Sequence, residues 1–217
     1  NISKYAVPTD YHEICIRYLN EIIASLKIIY PDYKFESFCD NSPINEVMAA
    51  VLAGLGVRGE NSLLINEKYG SFCFIGEIVT DLEIQCKKIE VKSCKKCGLC
   101  KKKCINNAIT TDGIKKEKCL SEITQKKGGL TKNEEKLIRL SGCIWGCDIC
   151  QNVCPMNSSI EKSPVKEFYE NERYIKSTTF VSKEQGQREL AAQLGEDFLD
   201  VFETSPIPVS IDITLEA

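Results

Sequence analysis

Cys94-Lys95-Lys96-Cys97-Gly98-Leu99-Cys100-Lys101-Lys102-Lys103-Cys104 and, further along, Gly146-Cys147-Asp148-Ile149-Cys150-Gln151-Asn152-Val153-Cys154-Pro155 are the stretches that decide how this chain folds. The first reads C-x2-C-x2-C-x3-C. Two residues between thiols let a tight loop wrap three corners of an iron-sulfur cube with its backbone N–H groups aimed at the sulfides, and the longer gap turns the fourth thiol away towards a second cube. Zinc is usually held by paired two-cysteine hooks, so three thiols at consecutive two-residue gaps fit tetrahedral zinc poorly. The second stretch ends the same way but lacks a cysteine at the usual gap before Cys147, so one ligand must come from elsewhere.

In two-cluster ferredoxins the fourth thiol of each run crosses to the other cluster. By that logic Cys94, Cys97, Cys100 and Cys154 hold one [4Fe-4S] cluster, while Cys104, Cys147 and Cys150 hold the other with either Cys119 or Cys143. Cys119 is favoured. It follows Ala108-Ile109 and the turn Asp112-Gly113, where a ferredoxin chain returns towards its cluster, whereas Cys143 is separated from Cys147 by three residues instead of two and would need a looser loop. Two neighbouring clusters make a route for single electrons, which a structural metal would not require.

The rest of the composition agrees with metal. Of 13 cysteines, an odd number unsuited to complete disulfide pairing, nine fall between 94 and 154. Cys15, Cys39, Cys73 and Cys86 are scattered through apolar or mixed sequence and read as buried free thiols. Hydrophobic content of 43% over 217 residues suits a folded chain. No apolar run approaches a membrane helix and no signal-peptide pattern opens the chain, so a cytoplasmic protein without a membrane partner is expected. The net charge of −3 hides a segment, 87–136, with 15 lysines against 6 acidic residues. Such a segment fits either a nucleic-acid contact or compensation of the negative charge that thiolate-bound clusters carry.

Outward from the cysteines, the first 80 residues read as mixed α and β. Cys15, Leu19, Ile22, Leu26 and Ile29 make one stripe of an amphipathic helix over 10–30, with Asp10 and Glu13 as a capping box and Pro31 as the stop. A strand is expected at 34–39 and a helix from Ser42-Pro43 to about Gly54. Ser62 to Ile65 and Phe72 to Thr80 read as two strands joined by a polar loop. Residues 81–93 are a connector, and the cysteine-rich module has few apolar residues of its own, so the clusters are expected to serve as its core. Beyond Ser159 a helix over 183–202 and a strand through Val209, Ile211, Ile213 and Leu215 are expected.

Asp40-Asn41-Ser42-Pro43, Ala53-Gly54-Leu55-Gly56, Asn61-Ser62-Leu63-Leu64-Ile65, Gly76-Glu77-Ile78-Val79-Thr80-Asp81-Leu82 and the Gly146-to-Pro155 block together resemble the epoxyqueuosine reductase family, over about residues 3–160. The resemblance implies an α+β protein: a partial α/β cobalamin-binding-type domain at 1–85, a two-cluster ferredoxin-like domain at 86–160 and a C-terminal extension at 161–217. It implies cobalamin as a further cofactor, reduction of epoxyqueuosine in tRNA, and an electron donor such as a flavodoxin or ferredoxin. It places a cluster cysteine at Cys119 and the acid at Asp40. An Asp is ordinarily ionised at neutral pH, so an acid role there requires burial, and the competing reading of Asp40 is a turn residue ahead of a helix. The resemblance also implies a further portion ahead of Asn1 that helps enclose the corrinoid. Glu60 stands where the family commonly has Lys, Ile105 where it has Pro, and Met156 where it has Trp. His12, the single histidine, reads as a surface or packing residue, with a cofactor contact as the alternative. An electron carrier serving a partner enzyme, or a corrinoid reductase with a substrate other than tRNA, would use the same cysteines.

Overall fold

In the computed structural model, residues 1–40, 42–85 and 92–169 are described, and the helix and strand expected at 183–202 and 209–215 lie outside them. The architecture is mixed, with short helices around two small sheets. Helix α1 runs Tyr11–Ile29; its N-cap Asp10 accepts from the His12 backbone at 2.9 Å, and Pro31 follows its end. Its buried residues are Ile14 and Ile23, with Cys15, Leu19 and Leu26 half-buried, whereas Ile22 and Ile29 of the expected stripe are 50% and 66% exposed. The helix is therefore rotated slightly from the periodicity reading, because it packs on a narrow two-stranded sheet rather than a broad one.

That sheet pairs β1 (Phe35–Phe38) with β4 (Glu77–Thr80), antiparallel, Phe35 opposite Thr80 and Phe38 opposite Glu77. Asp81 closes its end by accepting from the Lys34 backbone at 2.7 Å. The second sheet pairs β2 (Val57–Arg58) with β3 (Leu64–Ile65). The two strands expected on either side of the polar loop thus belong to different sheets, and within the described residues an isolated bridge from Asn66 to Gly70 spans that loop. Helix α2 (Glu46–Leu52) starts later than expected, since Asn45 rather than Ser42 caps it, accepting from Met48 N at 3.0 Å. Ala50, Val51 and Leu64 form a buried nucleus with Val47 and Ile75 packed against it. Gly56 is required there, because a Cβ would strike the Ile65 carbonyl.

The cysteine-rich module contains α3 (Leu99–Lys103), α4 (Leu120–Thr124), α5 (Lys132–Ser141) and α6 (Ile149–Asn152). Helices α3 and α6 pack together and bring the two cysteine runs side by side. Contrary to the expectation of a module without an oily core, Leu120, Ile123, Ile138 and Cys143 form a buried apolar nucleus between α4 and α5. Its amphipathic source is α5, started by a capping box between Thr131 and Glu134. The N-terminus is sewn to this module: Ile2 bridges Trp145, Ser3 N donates to Trp145 O at 2.8 Å, and Asp148 accepts from Ser3 Oγ at 2.5 Å and Lys4 N at 2.8 Å. Past the module the chain folds back, with Lys68 pairing Glu161 at 3.1 Å and Arg17 pairing Glu167 at 2.7 Å.

Candidate cluster-binding and acid sites

Cys94, Cys97, Cys100 and Cys154 line one pocket, three from the first run and one from the end of the second. Among the described residues, no group of three or more His, Cys, Asp or Glu side chains is already drawn together closely enough to hold a metal ion. Thiols are the donors that an iron-sulfur cube takes, and these four share the lining of one pocket. In the second set Cys150 lies within electrostatic reach of both Cys104 and Cys119. Cys104 Sγ also accepts from Ala108 N at 3.2 Å, a backbone donor of the kind that supports cluster sulfur. Cys119 is half-buried at the start of α4, while Cys143 is 6% exposed within the apolar nucleus and hydrogen-bonded to the Cys147 thiol. Each candidate for the eighth position is therefore near a different member of the set, Cys119 near Cys150 and Cys143 against Cys147.

Two residues from the first part of the chain reach into this region. Glu60 accepts from Lys101 Nζ at 2.8 Å and from Gly98 N at 3.3 Å, and lines the pocket of the first four thiols. The hydrogen bond from Lys101 holds its carboxyl below the usual carboxylate range. The reversed charge at this position is therefore answered within the cysteine loop itself. Asn61, 2% exposed, lines the same pocket and donates to Cys150 Sγ at 3.7 Å. Lys95, Lys96, Lys102 and Lys103 remain exposed around that loop.

Asp40 occupies the turn after β1 with φ of 67°, a left-handed conformation that costs a non-glycine residue about 1 kcal/mol or more and persists where surroundings enforce it. Here they do. The Tyr11 hydroxyl donates to Asp40 Oδ2, and His12 Nε2 lies 2.8 Å from the same oxygen, while His12 Nδ1 lies 2.7 Å from Asp10 Oδ1. Burial of its hydroxyl, then the bond to Asp40, pushes the Tyr11 pKa well up, so it remains a donor. For His12 partial burial disfavours the charge, but the hydrogen bonds to Asp10 and Asp40 outweigh it and raise the pKa. The Asp40 side chain is 45% exposed, so the described residues alone do not provide the burial that an acid role calls for.

The residues around Asp40 form a continuous stack. Phe168 lies against Phe74 at 5.0 Å, Phe74 lies on Tyr11 at 4.1 Å and 9°, and Tyr11 lies on His12 at 4.0 Å. Nearby, Glu46 Oε1 and both carboxylate oxygens of Glu77 are buried without a hydrogen-bond partner. Burial, then the neighbouring charges of Asp40 and Glu77, raises the Glu46 carboxyl. Buried acceptors lacking donors are uncommon and mark a place where a donor-rich group fits. The amide-bearing rim of a corrinoid is such a group, so the residues present are compatible with cobalamin.

The family resemblance singled out Asp40 as the candidate acid, and its contacts with Tyr11 and His12 come from the structure. Tyr11 and His12 gave no sign of this pairing in the sequence, because nothing local links them to a residue 29 and 28 positions away. Glu46 and Glu77 lay in helix and strand patterns that gave no sign of orphaned oxygens.

Comparison with known proteins adds to this geometry. Residues 93–157 match a family profile described as "4Fe-4S double cluster binding domain", and residues 157–217 match one described as "FtsX extracellular domain", almost wholly outside the described residues. An epoxyqueuosine reductase of Lactococcus garvieae is 37% identical over 152 residues, 70% of this chain and 43% of that protein. One from Leadbetterella byssophila is 37% identical over 171 residues, 79% of this chain and 56% of that protein. The chain thus spans about half the length of the curated relatives it matches. Among solved structures, epoxyqueuosine reductase from Streptococcus thermophilus superposes with a TM-score of 0.66 at 30% identity, covering 72% of this chain and 42% of that one. A second, an epoxyqueuosine reductase with an epoxyqueuosine-modified tRNA-Tyr stem loop, shares the fold with a TM-score of 0.74 at 21% identity, covering 94% and 58%.

Proposed function

The chain belongs to the epoxyqueuosine reductase family, and from that premise we propose that it forms the electron-entry side, and part of the acid side, of an enzyme that reduces epoxyqueuosine in tRNA. The observation that carries the reading is the pairing of two sites on one chain: thiols gathered round a hollow, and a clamped carboxylate beside orphaned acceptors. Cys94, Cys97, Cys100 and Cys154 would hold one cluster, and Cys104, Cys119, Cys147 and Cys150 the other. Cys119 is preferred to Cys143 because it stands with Cys104 and Cys150, whereas Cys143 is enclosed in the apolar nucleus. Glu46 and Glu77 would receive the amides of cobalamin. When bound, the clusters supply single electrons and cobalamin supplies a reduced cobalt for opening the epoxide.

The chain's own residues handle position and protons. Tyr11 and His12 both bond Asp40 Oδ2, which leaves Oδ1 as the atom to carry the proton for the departing oxygen. Asp40 is half-exposed, so its carboxyl is open to a bound substrate. Exposed Lys95, Lys96, Lys102 and Lys103 offer cations to a tRNA backbone, and a flavodoxin- or ferredoxin-type donor would feed the clusters. Among the described residues no helix is long and apolar enough to cross a membrane.

Oxygen-free purification tests the cluster half: about eight irons per chain with broad visible absorbance is expected, and a colourless zinc protein refutes it. Cobalamin titration followed by epoxyqueuosine-tRNA turnover tests the other half. Asp40→Asn should slow turnover by about 100-fold or more, the range of a general acid, with iron content unchanged. Cluster loading without cobalamin binding, in the chain extended to the length of its relatives, would instead identify an electron carrier.

A further inference from the structure

Cys15 and Cys39 sit outside both cluster sets, yet they face each other. Cys15 lies one turn after Tyr11 and His12 on α1, and Cys39 immediately precedes Asp40. The two backbones are fastened on either side of this pair: Tyr11 and His12 bond Asp40, and Ser37 Oγ donates to Asn20 Oδ1 at 3.0 Å. Between these ties the two thiols are hydrogen-bonded to one another. Both are free, Cys15 half-buried and Cys39 8% exposed.

We propose that Cys15 and Cys39 form a reversible disulfide by exchange with a low-molecular-weight disulfide of the oxidised-glutathione class, stapling the turn that carries Asp40 to α1. The division of labour follows from their surroundings. The hydrogen bond from Cys39 holds the Cys15 thiol below its ordinary value, and the nearby imidazole of His12 adds to this, so the more exposed thiol is also the better nucleophile. Cys39, hydrogen-bonded to Cys15 and buried, has its pKa raised and acts second.

The exchange balances without any other reactant. Cys15 thiolate attacks one sulfur of oxidised glutathione, forming a mixed disulfide and releasing one glutathione thiolate. Cys39 then loses its proton and attacks the Cys15 sulfur, forming the internal bond and releasing the second glutathione. Two protein thiols are oxidised by two electrons, and one small disulfide is reduced to two thiols. Excess reduced glutathione reverses both steps. Closure staples the Asp40 turn at a point one residue from the carboxylate, so oxidation would restrict that turn without touching a cluster ligand.

The test uses the full chain purified without oxygen, held in glutathione buffers of rising oxidised fraction, then acid-quenched, alkylated and digested with trypsin. The expected product joins the peptide containing Cys15, which ends at Arg17, to the one containing Cys39, which ends at Arg58. It should disappear on return to reduced glutathione, with iron content constant throughout. Cys39→Ser should accumulate glutathione on Cys15, and Cys15→Ser should leave Cys39 unmodified. Absence of the linked peptide in the most oxidising buffer, or its appearance only after iron is lost, would overturn the proposal.

Discussion

Asn61 connects the two sets of thiols: it lines the pocket of Cys94, Cys97, Cys100 and Cys154, and its side-chain amide donates to Cys150 of the other set at 3.7 Å. Donors to cluster sulfur favour the more negative, reduced state. Asn61→Ala should therefore lower a cluster potential by on the order of tens of millivolts. An EPR-monitored redox titration at full iron loading checks this, and an unchanged potential would remove Asn61 from any tuning role.

Glu60 should act in the opposite direction. Its carboxylate is held against the first cysteine loop by Lys101 and the Gly98 amide. Glu60→Gln removes a negative charge beside the proposed cluster, so reduction becomes easier and the potential rises, again by on the order of tens of millivolts. The same titration reads the shift. A fall would mean that freeing Lys101 to swing away outweighs loss of the carboxylate.

His12 gives a pH signature that one residue can report, since the chain has a single histidine. Its folded pKa is raised by Asp10 and Asp40 above the unfolded value of about 6.5. Its contribution to stability is then complete below about pH 6.5 and is lost as pH rises through the folded value. With the imidazole 44% exposed the effect is small. Proton NMR of the imidazole should give a midpoint above 6.5, and Asp40→Asn should move it down; a midpoint at or below the free value contradicts the clamp.

Thr124, fully buried, donates its hydroxyl to the Ser121 carbonyl and accepts from Gly146 N at 2.9 Å. Thr124→Val keeps the shape but leaves that buried N–H without a partner, at a cost of about 1–3 kcal/mol. Gly146→Ala should cost at least as much, because Gly146 has φ of 67° and a Cβ would strike Ser3. Thermal unfolding at constant iron loading measures both, and a melting temperature within a degree of wild type would count against either account.

How far the sequence carried this picture depends on how local each feature is. The cysteine runs were legible because their spacing alone dictates a loop, and α1 was legible because Asp10 and Pro31 mark both ends. Strand pairing was not, since β1 and β4 are joined by contacts that no short window contains, and β2 and β3, two residues each, are too short to show an alternation. The apolar nucleus of Leu120, Ile123, Ile138 and Cys143 was overlooked because two residues of α4, one of α5 and a cysteine beyond it make no run. The charge at Glu60 looked like a defect in the sequence and proved to be answered by Lys101, one loop away.

The stack from Phe168 through Phe74 and Tyr11 to His12 has a practical corollary. Residues 161–169 are not a tail after the cysteine module but a wall of the first part of the chain, pinned by Glu161 and Glu167. Anyone trimming the protein at residue 160, just past the double-cluster match at 93–157, would uncover Phe74 and loosen the rings that run up to the Asp40 clamp.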